Sequence, residues 1–553
     1  GKAVLHGYQG DNVADKYKIA ATLKHFIGYT APLSGIDRSS AWIPEHYLRE
    51  YFLPPFADAI HHGAKAIMLN LSEINGIPVH ADAHLISDIL RKELKFKGVV
   101  VSDWEAVREV FFHHHVAVDD KAAVKLAVDA GIDMSMVPYD FSFAEHLLAL
   151  VKEGQVSVKR INESVRRILK FKFELGLFEH PFYPAADYPQ FASEAFRQVS
   201  QQAAAESITL LKNKNNVLPL PKTAKVLVTG FAANSMRALN GGWSYTWQGA
   251  DTDYHGAHKL TILEAMVQKI GADNVHFVET EFDSTPQNIE QAVEAAQQAD
   301  YIILCLGELS YAENFGNLQD LNPPEGQVQL ARQLAATGKP VILVLTEGRP
   351  RVINAFETQM QAVLMAYLPS NEGGLAIADT LFGEVNPSGK LPFTYPLAAN
   401  TLVHYDHKYS ESYAVAVQYP FGFGLSYTTF SYKNLVLDKT HLQPGETLTL
   451  SVEVTNTGTR PGQEVVQLYS GDVFASVAPS IKRLRRFHKI ELQPAQTQTV
   501  TFTLSPEDFA FITPKNHKLA ERGAFEITVG ELKATFELMK DIDFSTTACK
   551  AEE

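Results

Sequence analysis

The sequence predicts a multidomain α/β protein: a partial (β/α) TIM-type barrel, then an α/β sandwich, then a C-terminal β-sandwich. Three observations carry that prediction. Apolar strands alternate with helix-length segments as far as Pro181. The alternation restarts near Phe191, and after Tyr427 the apolar period drops to that of half-buried strands. A chain of 553 residues has room for about three such domains.

After a polar opening, Ala20–Phe26 has strand character and ends on the basic pair Lys24-His25, ahead of a Gly/Pro/Ser-rich loop from Gly28 to Arg38. A helix near Pro44–His62, a strand at Ala64–Leu71 and a helix at His80–Leu94 follow. The next strand, Val99-Val100-Val101, is β-branched throughout and opens at its carboxyl end onto Ser102-Asp103-Trp104-Glu105. Helices over Asp119–Ala130 and Val158–Leu175 bracket the segment Gly131–Met136. That makes four βα units, whereas a closed barrel has eight. The expectation is half a barrel, with exposed strand edges and apolar faces.

In the second segment a helix at Ser193–Leu211 leads to strands at Ala224–Thr229, Val275–Val278, Tyr301–Leu306, Pro340–Leu345 and Ala362–Met365. In the third, Leu448–Thr455, Glu464–Tyr469, Thr497–Leu504 and Phe525–Val529 alternate apolar and polar residues. The resulting boundaries are 1–188, 189–405, a connector 406–432, a β-sandwich 433–547 and a frayed tail 548–553.

The net charge of −14 without a Lys/Arg block disfavours nucleic acid or an anionic membrane as partner. No apolar run is long enough to span a bilayer. Two cysteines, Cys305 in an apolar strand and Cys549 near the end, exclude a disulfide framework or cysteine metal centre. His113-His114-His115 cannot converge on one ion as spaced ligands do and reads as a solvated loop. Asp103 sits where barrel folds carry functional carboxylates, yet it reads equally as a helix cap.

Several motifs in order resolve that choice. They are Lys24-His25-Phe26, Ser102-Asp103-Trp104, the helix Arg160–Leu169 running to Gly176-Leu177-Phe178-Glu179, Gly241-Gly242-Trp243 through Trp247 to Gly249, Gly307-Glu308 through Glu313, Gly348-Arg349-Pro350, Gly383 through Lys390, and Tyr419 through Tyr427. Together they resemble the glycoside hydrolase family 3 β-glucosidases, nearest the plant exo-β-glucanases and bacterial periplasmic β-glucosidases. The resemblance implies a barrel, an α/β sandwich and a fibronectin-III-like domain, with no cofactor. It also implies release of terminal β-D-glucose from β-glucosides and β-glucan oligosaccharides with retention of configuration.

Retention requires a carboxylate nucleophile and a carboxylic acid about 5–5.5 Å apart. By resemblance Asp103 is the nucleophile and Trp104 an aromatic wall for the sugar. Glu313 fits the family's acid/base ahead of Glu308. Lys24 and His25 would bind sugar hydroxyls and Met68 would line the same pocket, although a core histidine and a core methionine are the competing readings. Trp247, with Trp243 close by in sequence, would form one jaw of a clamp on the next sugar; two core tryptophans are the alternative.

The chain also departs from the branch. Glu109 stands where relatives carry an Arg, leaving Arg108 beside it as a possible substitute, and Arg38 stands where some relatives carry an acid. The family's upstream βα units, with an Asp and an Arg that grip glucose, have no counterpart, so Gly1–Glu553 alone is expected to be poorly active or aggregation-prone. The start of the chain resembles a cut, and the family points to a periplasmic or secreted setting. A β-xylosidase remains open, as does a binding protein that has lost catalysis. A β-N-acetylglucosaminidase is disfavoured, because Ile27-Gly28-Tyr29-Thr30 replaces the Pro-Gly-His-Gly of those relatives. Oligomeric state is not legible.

Overall fold

The computed structural model describes residues 1–253, 256, 259–401, 404–412 and 416–545. The predicted tail and Cys549 lie outside the described residues. The chain divides into two compact units, Gly1–Pro189 with Phe511–Lys518, and Gln190–Ala510 with Leu519–Glu553.

In the first unit four parallel strands lie side by side in chain order: β1 (Thr22–Phe26), β2 (Ala66–Leu69), β3 (Val99–Trp104) and β4 (Met134–Met136). Consecutive strands become neighbours because each is returned by a helix, as βα repetition requires. Phe26, Ile67, Leu69 and Val100 join Ile86, Ile89, Leu90, Val107 and Val124 in one buried cluster. The polar opening is in fact a helix, Lys2–Gln9, with Leu5 buried. Helices at Ala106–Phe112 and Ser142–Lys152 were not foreseen either. The helix expected from His80 begins only at His84, after the single turn Val79–Ala81, which leaves His80 1% exposed inside the unit.

The second unit holds a six-stranded sheet. Its strands are β5 (Thr209–Asn213), β6 (Val226–Thr229), β7 (Val275–Val278), β8 (Tyr301–Gly307), β9 (Val341–Thr346) and β10 (Ala362–Met365), in the order β5-β10-β9-β8-β6-β7. All pair in parallel except β5, which runs antiparallel to β10. Alternation along β8 and β9 sends Ile303, Cys305, Ile342 and Val344 into one core. Ile302, Leu304, Leu343 and Leu345 enter another on the opposite face, the signature of a sheet covered on both sides. The helix predicted to run to Leu211 ends at Ser207. Thr209–Leu211 pairs instead with β10, so tertiary pairing overrides the apolar spacing there.

The chain leaves β6 for β7 on one side and then returns to place β8 on the other. Ligands of open α/β sheets bind outside the carboxyl ends of strands at such a reversal. The loops that follow β6 and β8 occupy that position. Gly230 makes it possible: a Cβ there would stand 2.1 Å from the Cys305 carbonyl oxygen.

The β-sandwich packs a three-stranded sheet (Phe430–Leu437, Leu448–Asn456, Thr497–Leu504) with a five-stranded one. The second sheet includes Arg483–Leu492 and Leu532–Leu538, which the period-two reading missed along with Phe430–Leu437. Along Leu448–Asn456 every second residue is buried, so Leu448, Leu450, Val452 and Val454 share one core face.

Candidate active site

Two groups of chemically capable side chains stand at strand ends, one in each unit. In the first, β3 delivers Asp103 at its carboxyl end, 9% exposed. Its carboxylate is held from two sides. The Trp104 backbone N–H donates to Oδ1 at 2.7 Å, and His25 Nε2 lies 3.5 Å from Oδ2. The Asp103 backbone N–H donates to His80 Nε2 at 3.2 Å, and the Ser102 hydroxyl closes on the Asp103 carbonyl at 2.7 Å. Backbone and carboxylate are both fixed, the condition for an attacking group that must not reorganise.

The electrostatics favour neutral imidazoles around this carboxylate. Burial lowers the His25 pKa, Asp103 opposes that, and Lys24 and Arg38 reinforce it. His80 is pushed down to about 3 by burial, helped by His114. A neutral His80 keeps Nε2 free to accept the Asp103 N–H. The His25 ring packs against Tyr29 at 4.6 Å between centroids, and Tyr29 donates in turn to Asp37. The loop that departs from the family pattern thus reaches the strand end through Tyr29.

The other predicted residues of this unit divide. Lys24 is exposed next to His25, and Met68 is half-buried on β2 in register with Val101. Trp104 is 49% exposed and meets Tyr139 edge-on at 5.9 Å. Arg108 is drawn to Glu105, Asp120 and Asp140 at 3.4, 3.7 and 3.9 Å and lies over the Phe112 ring. The histidine run corrects the expectation of a wholly solvated loop. His113 is exposed, but His114 turns inward, its side chain 6% exposed, with Nε2 3.1 Å from the Leu71 carbonyl. Among the described residues no cluster of three or more His, Cys, Asp or Glu side chains is arranged to hold a metal ion.

The remaining predicted residues, Glu313, Trp243 and Trp247, belong to the second unit and sit on the loops at the strand-order reversal. Trp243 and Trp247 lie 6.5 Å apart, and Phe315 meets Trp247 edge-on at 5.4 Å. All three are substantially exposed, at 65%, 42% and 66%, unlike core tryptophans. Glu313 opens the single turn Glu313–Gly316 with φ of 55°. A left-handed backbone at a non-glycine residue costs about 1–2 kcal/mol and collects at functional positions.

Glu308 has a different environment. It is 5% exposed, and its Oε1 accepts from Arg349 at 2.9 Å and Arg351 at 3.3 Å. Its Oε2 accepts from the Tyr311 hydroxyl at 3.2 Å. Beside it, Glu347 is fully buried, accepts from the Tyr395 hydroxyl at 2.9 Å, and is pushed up to about 8 by burial with the Glu308 charge adding. Glu308 is thus engaged by three donors, and burial biases Glu347 toward its neutral form.

Sequence reasoning missed His80, Tyr29, Tyr139, Phe315 and Arg349. Arg349 carried a signal in its Gly-Arg-Pro motif, and Tyr29 lies in the stretch Ile27-Gly28-Tyr29-Thr30.

Comparison with known proteins accords with this architecture. Residues 1–171 match the glycosyl hydrolase family 3 N-terminal domain, 208–427 the family 3 C-terminal domain and 464–533 a fibronectin type III-like domain. The lysosomal beta glucosidase of Dictyostelium discoideum is 44% identical over 96% of this chain and 68% of its own length. The periplasmic beta-glucosidase of Salmonella typhimurium is 34% identical over 96% and 74%. A beta-xylosidase of Formosa agariphila is 33% identical over 96% and 76%. A crystal structure of a beta-glucosidase from Listeria innocua in complex with glucose superposes with a TM-score of 0.90 at 32% identity, over 97% of this chain and 76% of that one.

Proposed function

This chain belongs to glycoside hydrolase family 3, and on that premise we propose that it is a β-glucosidase that removes terminal β-D-glucose by double displacement. Asp103 attacks the anomeric carbon and forms a glycosyl ester, while Glu313 gives its proton to the departing oxygen. Glu313 then takes a proton from water, which attacks the same carbon and releases glucose with its β configuration restored. Lys24 and His25 bind sugar hydroxyls beside the nucleophile, and Met68 lines the pocket near them. Trp104, Trp243 and Trp247 offer aromatic faces to the glucosyl unit and the group beyond it. Arg108 holds Glu105 and so the turn after Trp104.

The observation that carries the reading is the fixed Asp103 carboxylate at the carboxyl end of β3. The occupation of Glu308 by two arginines and a tyrosine supports Glu313 as the acid/base. The relatives support two finer proposals: action on β-gluco-oligosaccharides in polysaccharide breakdown, and a periplasmic or secreted location. No described helix is long and apolar enough to cross a membrane.

The test is the anomer first released from an aryl β-glucoside, read by proton NMR before mutarotation. β-Glucose is expected, and α-glucose would refute double displacement. The xylosidase relative makes β-xylosidase the second reading. A kcat/KM for aryl β-xyloside above that for aryl β-glucoside would favour it.

A further inference from the structure

The Gly348-Arg349-Pro350 motif has no role in the chemistry above, yet Arg349 touches the loop of Glu313 at three places. Its Nε donates to Glu308 Oε1 at 2.9 Å. Its Nη1 donates to the Gly316 carbonyl at 2.6 Å. Its guanidinium lies over the Tyr311 ring, 4.3 Å from the centroid. These contacts fall before and after Glu313, so one planar cation spans the loop. Tyr311 completes the frame by donating to Glu308 Oε2 at 3.2 Å.

The turn is built to lie against that frame. A Cβ on Gly316 would stand 2.4 Å from the Tyr311 ring, so only glycine lets it settle there. On the other side Gln248 holds Ala312 through both backbone groups, at 3.0 and 3.2 Å. With residues 312 and 316 fixed, the left-handed backbone at Glu313 is retained. Without the frame the turn would relax toward the right-handed region. Lysine could not reproduce the grip, because an ammonium lacks both the planar fork and the stacking face.

We propose that Arg349 is a positioning residue that aims Glu313 by clamping residues 308, 311 and 316 around it. This rests on Glu313 being the acid/base. A displaced proton donor is felt most by substrates whose leaving group needs the proton, and least by those whose leaving group departs unaided.

The experiment compares Arg349→Ala, Arg349→Lys and Glu313→Ala in the full-length protein on cellobiose and on 2,4-dinitrophenyl β-glucoside. Circular dichroism and thermal melts check folding, and Arg349→Lys serves should Arg349→Ala fail to fold. For Arg349→Ala a loss of about 100-fold in kcat/KM is expected on cellobiose and less than about 3-fold on the aryl glucoside, with Arg349→Lys near 10-fold on cellobiose. Glu313→Ala should show the same selectivity more strongly. Equal losses on both substrates in the arginine variants, or none, would overturn the inference. If Glu313→Ala itself lacks the selectivity, the acid/base assignment falls and the inference with it. Selectivity in Glu313→Ala alone would sink only the role of Arg349.

Discussion

Replacing Glu347 by glutamine should flatten the pH dependence of stability of the second unit. The side chain is 1% exposed, and its Oε1 accepts from the Tyr395 hydroxyl and the Arg351 N–H. Its Oε2 has no hydrogen-bond partner. Burial moves its pKa from 4.5 to about 8. The folded protein therefore holds a proton that the unfolded chain releases above pH 4.5. The stability linked to that proton is complete below pH 4.5 and is lost as pH rises toward about 8. From pH 4.5 to 7 the effective interval is about 2.2 units, because the unfolded carboxyl is already half-deprotonated at pH 4.5, or about 3 kcal/mol at about 1.4 kcal/mol per unit. Glutamine keeps the shape and carries no titrating proton. Calorimetry of both proteins from pH 4.5 to 8 should show Glu347→Gln gaining on wild type by about 3 kcal/mol at pH 7, relative to their difference at pH 4.5. Parallel curves would refute the neutral buried carboxyl.

The remaining predictions concern the first unit and the aromatic loop. His80 has its pKa at about 3 instead of 6.5, so the unfolded chain binds a proton that the fold excludes. Wild type should lose about 2 kcal/mol between pH 7.5 and pH 5, a loss absent from His80→Gln and measurable by denaturant titration at the two pH values. His80→Leu removes the acceptor of the Asp103 N–H, and pre-steady-state release of dinitrophenol should slow about 10-fold; an unchanged burst rate would show that this bond does not hold the carboxylate in place. Trp247→Ala should raise KM for cellobiose about 10-fold with little change in kcat, as expected from losing about 1.4 kcal/mol of stacking. A fall in kcat alone would assign Trp247 to the chemical step instead.

The fold class was legible because its signals are local. Three β-branched residues before Ser102 form a strand in any parallel sheet, and alternation at Leu448–Val454 has one buried solution. Pairing with distant residues was not legible. Thr209–Leu211 continues the apolar spacing of the helix before it and becomes a strand only because β10 offers an antiparallel edge. His80 resembles the start of a helix, but Val79–Ala81 forms one separate turn and the ring is buried beneath Asp103. The two glutamates after β8 are alike in sequence, and only the arginines arriving after β9 separate their environments. The three carboxylates around Arg108 come from its own and neighbouring segments, a grouping that sequence spacing does not display.

Double displacement requires a covalent bond between sugar and Asp103. Incubating the full-length protein with 2,4-dinitrophenyl 2-deoxy-2-fluoro-β-glucoside should release one equivalent of dinitrophenol and inactivate the enzyme. Peptide mass spectrometry should then find the fluoroglucosyl group on Asp103. Inactivation with the label on another carboxylate, or saturable binding of the inhibitor with no adduct, would contradict it.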